Sequence, residues 1–134
     1  MNEFSKVYVA SRASNPARSE MWRQLKKEGA NIVSSWIEQV GPIESYKSLW
    51  DRITAEVNMA QYLVLYVEPE DLPLKGAFVE AGMALALGKR VIIVAPNVEI
   101  NPQDYNPIGS WAFHPLVSFE KDIKKAVFLN LLNI

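Results

Sequence analysis

Three short apolar runs limit the folds that this chain can adopt. They are "VYVA" at 7–10, "YLVLYV" at 62–67 and "VIIVA" at 91–95, and each run is continuous instead of alternating with polar residues. Continuous runs rich in β-branched and aromatic residues are typical of strands buried on both faces, as in a parallel sheet covered by helices. The sequence therefore predicts a parallel sheet with helices packed on it.

Segments with helical spacing separate these runs. "NPARSEMWRQLKKEGA" can begin at a cap residue, Ser14 or Asn15, with Pro16 in its first turn and Gly29 as its stop. "SYKSLWDRITAEVNMA" spaces its apolar residues three or four positions apart, which predicts one apolar stripe on a helix. "KGAFVEAGMALALG" ends at Gly88, where a left-handed residue would terminate a helix.

Two weaker strands, 31–36 and 115–119, and a last helix from about 120 to 131 complete the alternation of strands and helices. Because crossovers between parallel strands are right-handed, this order predicts a doubly wound α/β fold with five parallel strands in the order 2-1-3-4-5. The proline-rich stretch 96–115 is either a functional loop or a plain surface excursion. The length of 134 residues suits one core, so we expect residues 1–134 to form a single domain.

The composition excludes several classes of function. Lys and Arg number 14 against 15 Asp and Glu, and a net charge of −1 provides no broad field for a nucleic-acid polymer or a membrane surface. The chain has no cysteine and a single histidine, His114, so we expect no disulfide, no thiolate nucleophile and no metal site. No apolar stretch approaches the roughly 20 residues of a membrane span. We therefore expect a cytoplasmic protein, for which a small charged ligand remains possible.

The carboxyl ends of the strands are the expected ligand site, since ligands of open parallel sheets bind there, beside the point where the strand order reverses. The loop "ASRASNPAR" follows the first strand and leads into a helix N-terminus, which favours an anion such as phosphate. Ser11, Arg12, Ser14 and Arg18 are available to hold it. Alternatively, Ser14 or Asn15 only caps the helix and the arginines are solvated.

Glu80 is the single carboxylate in the run "LKGAFVEAGMALALGKRVIIV". Its helical neighbours carry no charge that neutralises it: Gly76, Ala77, Met83 and Ala84. A buried charge in such surroundings is costly unless its pKa shifts or a ligand compensates it. Glu80 therefore either faces the mouth of the ligand cleft or points to water and interacts with the helix dipole.

The pattern Gly76-x-x-x-Glu80-x-Gly82-x-Ala84-x-Ala86-x-Gly88-Lys89, followed by an aliphatic strand, resembles the glutamate helix of the nucleoside 2-deoxyribosyltransferase family, which includes nucleotide N-glycoside hydrolases. The opening "VYVASR" and the late "PIGSW" extend the likeness over most of the chain. The resemblance implies a flavodoxin-like, Rossmann-like three-layer α/β sandwich that forms a homodimer or higher homo-oligomer. It also implies a nucleoside or nucleoside 5′-monophosphate as substrate and no cofactor.

The resemblance assigns to Glu80 the attack on the anomeric carbon of the sugar, and it brings Ser11 and Arg12 near a 5′-phosphate. Breaking an N-glycosidic bond builds positive charge on the sugar, and a carboxylate beside the anomeric carbon stabilises that charge and can bond to the carbon. Small side chains, beginning with Gly76, would let the sugar approach. Water or a second base would then resolve the intermediate.

The chain departs from the family in its other acids. The family usually has an acidic residue just before its third strand, where this chain has Ala60-Gln61. Asp51 and Glu56 on the preceding helix are candidates to orient the sugar or to assist the departing base, unless they are ordinary solvated helix charges. Glu70 and Asp71, on the loop that enters the glutamate helix, are possible substitutes.

Further substrate-binding candidates are Lys75, which can contact a phosphate, and Trp36, which follows the second predicted strand and can stack on a base. Trp50 and Trp111 can also stack, whereas Trp22 fits a core position. Alternatively, all four tryptophans belong to the core, since large aromatic side chains dominate protein cores.

Two other functions remain open. A Toll/interleukin-receptor type NAD glycohydrolase also combines a flavodoxin-like fold with one catalytic glutamate, although the characteristic loop residues of that family are absent. A nucleotide-binding sensor that kept the fold and lost catalysis would account for Ala60-Gln61.

Overall fold

The computed structural model describes residues 2–133, and these form a four-stranded sheet. The strands are β1 (Val7–Ala10), β2 (Tyr62–Tyr66), β3 (Arg90–Val94) and β4 (Val117–Phe119). They lie side by side in chain order, β1-β2-β3-β4, and every neighbouring pair is parallel. The predicted α/β fold with a parallel sheet is therefore confirmed.

The predicted strand at 31–36 is wrong. Ile32 makes a single parallel bridge to Val7, and the chain then enters a short 3-10 helix, Ser35–Glu38. The Ser34 hydroxyl accepts the backbone N–H of Val9 at 2.7 Å, in the place where the next carbonyl of a ladder would bond. Because this side chain ends the ladder after one bridge, the described sheet has four strands instead of five, and the five-strand order 2-1-3-4-5 is not confirmed.

Four α-helices connect and flank the strands in the described residues. They are α1 (Pro16–Lys27), α2 (Tyr46–Met59), α3 (Gly76–Ala86) and α4 (Ile123–Val127). Asn15 caps α1, since its side chain accepts the N–H of Ala17, and Gly29 ends it in the left-handed region at φ 116°. None of the described helices has both the length and the apolar composition to cross a bilayer.

The last helix is shorter than the predicted span of 120 to 131. Asp122 caps its start, because its side chain accepts the N–H of Lys124. After α4 the backbone turns to the N-terminal segment: Leu129 O accepts the N–H of Ser5 at 2.8 Å, and the Leu131 N–H donates to Ser5 Oγ at 2.9 Å. These bonds replace the helical ones and end the helix.

Two apolar layers hold the helices on the two faces of the sheet. One layer joins the sheet to α2 and α3, and the other joins it to α1 and α4. Because side chains alternate along a strand, Tyr8 and Ala10 of β1 face α2 and α3, whereas Val7 and Val9 face the opposite layer. This alternation directs the Tyr8 side chain towards the helix that carries Glu80.

Candidate functional site

A cavity of about 440 Å³ lies at the carboxyl ends of β1 and β2. Its walls come from residues 11–14 after β1, from the α2 side chains Leu49, Trp50 and Ile53, and from residues 73–77 with Glu80. A larger depression of about 520 Å³ beside α1 is lined by charged and amide side chains of Glu20–Lys27 and Glu38 that water can solvate. The first cavity is the candidate site, because it combines a buried acid with an apolar wall.

Glu80 lies in the early part of α3 and is 9% exposed. Its Oε1 accepts a hydrogen bond from the Tyr8 hydroxyl. Burial raises the pKa of Glu80 to about 7; the hydrogen bond from Tyr8 opposes this rise, and the negative charge of Glu56 adds to it. Near neutral pH the carboxyl group is therefore present both as an acid and as a carboxylate.

Tyr8 is a site residue that the sequence analysis did not identify. It is 0% exposed on β1, and its hydroxyl donates to Glu80. Burial and the neighbouring Glu80 charge raise the pKa of Tyr8 far above its usual value, so this hydroxyl stays a neutral donor. The sequence gives only a weak signal for this role. A tyrosine in a buried strand needs a hydrogen-bond partner for its hydroxyl, but the strand pattern does not identify that partner.

Gly76 leaves the space beside the Glu80 carboxylate open. A Cβ at this position would lie 3.7 Å from Glu80 Oε2 and 3.7 Å from Trp50 Cζ2. Both distances are ordinary van der Waals contacts, so a methyl group would fit there without moving the backbone. It would, however, occupy part of the space between the carboxylate and the indole ring, inside the cavity that both residues line.

Two cationic residues, Arg12 and Lys75, line the same cavity. Arg12 Nε donates to Asp71 O at 2.8 Å, and its Nη2 donates to Pro73 O at 2.7 Å, which uses two of the five N–H donors of a guanidinium. Ser11 is buried, and its hydroxyl accepts the Trp22 indole N–H at 3.0 Å. The cavity thus pairs cationic groups with a single buried acid.

The other predicted acids do not line the cavity. Asp51 is exposed and forms an ion pair with Lys47 one turn earlier, at 2.8 Å, as a solvated helix charge does. Glu56 accepts the backbone N–H and the hydroxyl of Ser35, which holds the 3-10 helix Ser35–Glu38 on α2. Glu70 is exposed on the loop after β2.

Only some of the predicted aromatic residues line the cavity. Trp50 lines the cavity, whereas Trp36 does not, and its indole N–H donates to Val9 O at 2.8 Å. Trp111 packs edge-on against Phe78, with ring centroids 5.6 Å apart. Trp22 is fully buried, which confirms its core position.

Arg18 is buried and lies outside the cavity. Its Nε donates to Asp71 Oδ2 at 2.7 Å, and its guanidinium lies 5.4 Å from the centroid of the Tyr66 ring. Asp71 is 0% exposed. Burial alone would raise the pKa of Asp71, but the hydrogen bonds from Arg18, from the Glu68 N–H and from Asn15 hold that pKa below its usual value. Arg18 and Asp71 therefore form a buried ion pair behind the wall of the cavity.

No family model and no curated protein matches this sequence. Solved structures with the same fold include the following three. A 2-deoxyribosyltransferase from Bacillus psychrosaccharolyticus aligns with a TM-score of 0.67 and 17% identity, over 96% of this chain and 95% of that chain. For the CMP N-glycosidase of Clostridium botulinum the TM-score is 0.54 and the identity 14%, over 96% and 98%.

The third is a 2-deoxyribosyltransferase from Leishmania mexicana, with a TM-score of 0.63 and 14% identity over 92% of this chain and 94% of that chain. At these identities the likeness concerns the fold, which extends over nearly the whole length of each protein. The structural neighbours therefore support, at the level of the fold, the resemblance that the glutamate helix indicates.

Proposed function

We propose that the protein is an enzyme of the nucleoside 2-deoxyribosyltransferase family that cleaves or transfers the N-glycosidic bond of a nucleoside or a nucleoside 5′-monophosphate, with Glu80 as its nucleophile. The observation that carries the proposal is a carboxylate that is 9% exposed, lines a cavity and accepts the hydroxyl of Tyr8. The fold of two 2-deoxyribosyltransferases and a CMP N-glycosidase supports the reaction class.

In the first step the Glu80 carboxylate attacks the anomeric carbon of the sugar. The bond from that carbon to the base breaks, its electron pair leaves with the base, and a glycosyl ester of Glu80 remains. Oε2 is the attacking oxygen, because Oε1 accepts the Tyr8 hydroxyl and Oε2 faces the space that Gly76 leaves open. The Tyr8 hydroxyl favours the ionised form of the carboxylate against the effect of burial, and it holds the group in one orientation.

In the second step water or an acceptor base attacks the anomeric carbon, the ester bond breaks, and Glu80 leaves as a carboxylate. The proton lost by the attacking group goes to the hydroxide that remains after water has protonated the departing base. Among the described residues, Glu80 is the only carboxylate that lines the cavity. Water that enters the cavity therefore donates the proton to the departing base. Bases that leave readily as anions should react fastest under this mechanism.

The charges of the cavity favour a substrate with an anionic group. Arg12 and Lys75 lie at its wall, and the apolar side chains Leu49, Trp50 and Ile53 form another part of the wall. A nucleoside 5′-monophosphate offers a phosphate to the cations and a flat base to Trp50. We therefore expect 5′-monophosphates to be better substrates than the corresponding nucleosides.

We also infer that α3 contacts a second copy of the chain. Apart from Glu80, α3 contains only apolar residues and glycine, yet Val79 on its outer face is 55% exposed and Leu87 just after it is 49% exposed. A helix that is apolar all round is normally buried, and a homodimer or higher homo-oligomer would bury this one. Light scattering after size-exclusion chromatography should give a molar mass of more than one subunit, and Val79→Lys should lower that molar mass.

The cytoplasmic location stays a prediction.

The test is base release from a panel of nucleosides, 5′-monophosphates and NAD, followed by chromatography, with and without an acceptor base. We expect release from at least one nucleoside or 5′-monophosphate, and its loss in Glu80→Gln. Asp51→Asn is the matched control, because it removes an exposed carboxylate outside the cavity. Release that survives Glu80→Gln would contradict the proposal, as would cleavage of NAD alone or calorimetric binding of a nucleotide with no turnover.

A further inference from the structure

A gain in stability does not explain why Arg18 and Asp71 form a buried ion pair. The two side chains are 9% and 0% exposed, and Arg18 Nε lies 2.7 Å from Asp71 Oδ2. Taking two charges out of water costs about as much as their attraction returns, and apolar replacements are often equally stable. A pair of this kind is expected where it fixes a geometry that apolar packing would leave loose.

The geometry that this pair fixes is the contact between two loops of the candidate site. Besides Arg18, the Asp71 carboxylate accepts the Glu68 N–H at 3.0 Å and the Asn15 side-chain amide at 3.3 Å. Asn15 belongs to the loop after β1, and Glu68 to the loop after β2. One buried carboxylate thus joins the two loops that form adjacent walls of the cavity.

The backbone of the same segment holds Arg12. The carbonyl oxygens of Asp71 and Pro73 accept Arg12 Nε and Nη2 at 2.8 and 2.7 Å. Arg12 lines the cavity, whereas Arg18 does not. The orientation of the Arg12 guanidinium therefore depends on the position of residues 71–73, and that position depends on the Asp71 side chain and its partner Arg18.

We propose that Arg18 and Asp71 are positioning residues that hold Arg12 ready to bind the 5′-phosphate of the substrate, and so set the preference for nucleotides over nucleosides. This inference rests on the function proposed above. Arginine is a long side chain that loses rotamer freedom when it binds, and a guanidinium already held by two carbonyls loses less. The pair acts through Arg12 and does not contact the substrate itself.

The kinetic test compares the ratio of kcat/KM for a 5′-monophosphate to kcat/KM for its nucleoside. Arg18→Met should lower this ratio about tenfold, the order expected when a charge-assisted hydrogen bond is weakened. Arg12→Met should lower it at least as much, and the double variant should be no worse than Arg12→Met alone, because both act on one contact. Arg23→Met is the matched control: Arg23 is on the same helix, donates to Ile37 O, and should leave the ratio unchanged.

A merely structural role predicts another pattern. Arg18→Met would then lower the thermal midpoint and affect both substrates equally, so the ratio would stay constant and the inference would be overturned. Losses that add in the double variant would overturn it as well. If Arg18→Met does not fold, Asp71→Asn is the second variant, because it removes the charge of the pair and keeps an acceptor for the Glu68 N–H. The inference then predicts a lower ratio of kcat/KM for the 5′-monophosphate to kcat/KM for the nucleoside, and an unchanged ratio would overturn it.

A second readout does not depend on catalysis. The Nε–H proton of Arg12 should exchange slowly in nitrogen-15 NMR spectra of the wild type, because it is bonded to Asp71 O. It should exchange rapidly in Arg18→Met or Asp71→Asn. A proton that remains protected in these variants would refute the positioning role, whatever the activity. Absence of base release from every substrate by the wild type would refute the proposed function alone.

Discussion

The cost of burying Glu80 should appear directly as a pH-dependent loss of stability. Burial raises the pKa of this carboxyl from 4.5 to about 7. Between these two values the folded protein binds more protons than the unfolded chain, so the folded state is favoured at low pH. That advantage is lost as the pH rises through the folded pKa. Glu80→Gln, which cannot ionise and can still accept the Tyr8 hydroxyl, should not show this loss.

The expected size follows from the two pKa values, whose difference corresponds to about 3 kcal/mol of unfolding free energy. Because Glu80 is only 9% exposed, little of this is removed by solvent screening. Relative to the wild type, Glu80→Gln should therefore become more stable by roughly 2–3 kcal/mol between about pH 5 and about pH 8.5. All other titrating groups are common to both proteins and cancel in the comparison.

The assay is urea unfolding of both proteins at several pH values in this range, followed by circular dichroism. Asp51→Asn, which removes an exposed carboxylate, is the control and should parallel the wild type. A difference in stability between Glu80→Gln and the wild type that does not change with pH would mean that Glu80 ionises as easily in the folded protein as in the unfolded chain, and that its burial carries no such cost.

Individual contacts of Tyr8, Gly76 and Lys89 can each be tested by one substitution. Tyr8→Phe removes the hydrogen bond that lowers the pKa of Glu80, so the acid limb of kcat/KM against pH should move to higher pH; an unchanged limb would contradict this role. Gly76→Ala should lower kcat/KM about tenfold without loss of stability, because a methyl group fits beside Trp50 but fills space at the carboxylate. Kinetics and thermal unfolding check this, and full activity would mean that the substrate does not use that space. Lys89→Met should destabilise the protein by about 1–2 kcal/mol in urea, since Lys89 Nζ donates to the last carbonyls of α2; unchanged stability would exclude that capping role.

The central strands could be predicted because burial on both faces leaves a continuous apolar run. β1, β2 and β3 all follow from this pattern, within a residue at each end. The segment 31–36 fails for a local reason: the hydroxyl of Ser34 competes with backbone carbonyls for the N–H of Val9. Its apolar residues resemble a strand, but one side-chain bond ends the ladder.

Glu80 could be found from the sequence because its signal is local, a charge among small apolar neighbours. Its partner Tyr8 could not, since the two residues are 72 positions apart and only the folded sheet brings them together. Arg18 and Asp71 are likewise 53 positions apart. Trp36 is a stacking candidate in the sequence only because it follows a predicted strand. Once that strand is absent, its indole bonds to the backbone of Val9.

Mass spectrometry of a trapped complex tests whether the reaction passes through a covalent intermediate on Glu80. A 2′-fluoro substrate analogue with a good leaving group should react once and accumulate as the glycosyl ester, because the fluorine slows the second step. We predict one added glycosyl group on the peptide that contains Glu80, and none in Glu80→Gln. Base release by the wild type with the adduct on another residue would contradict the account.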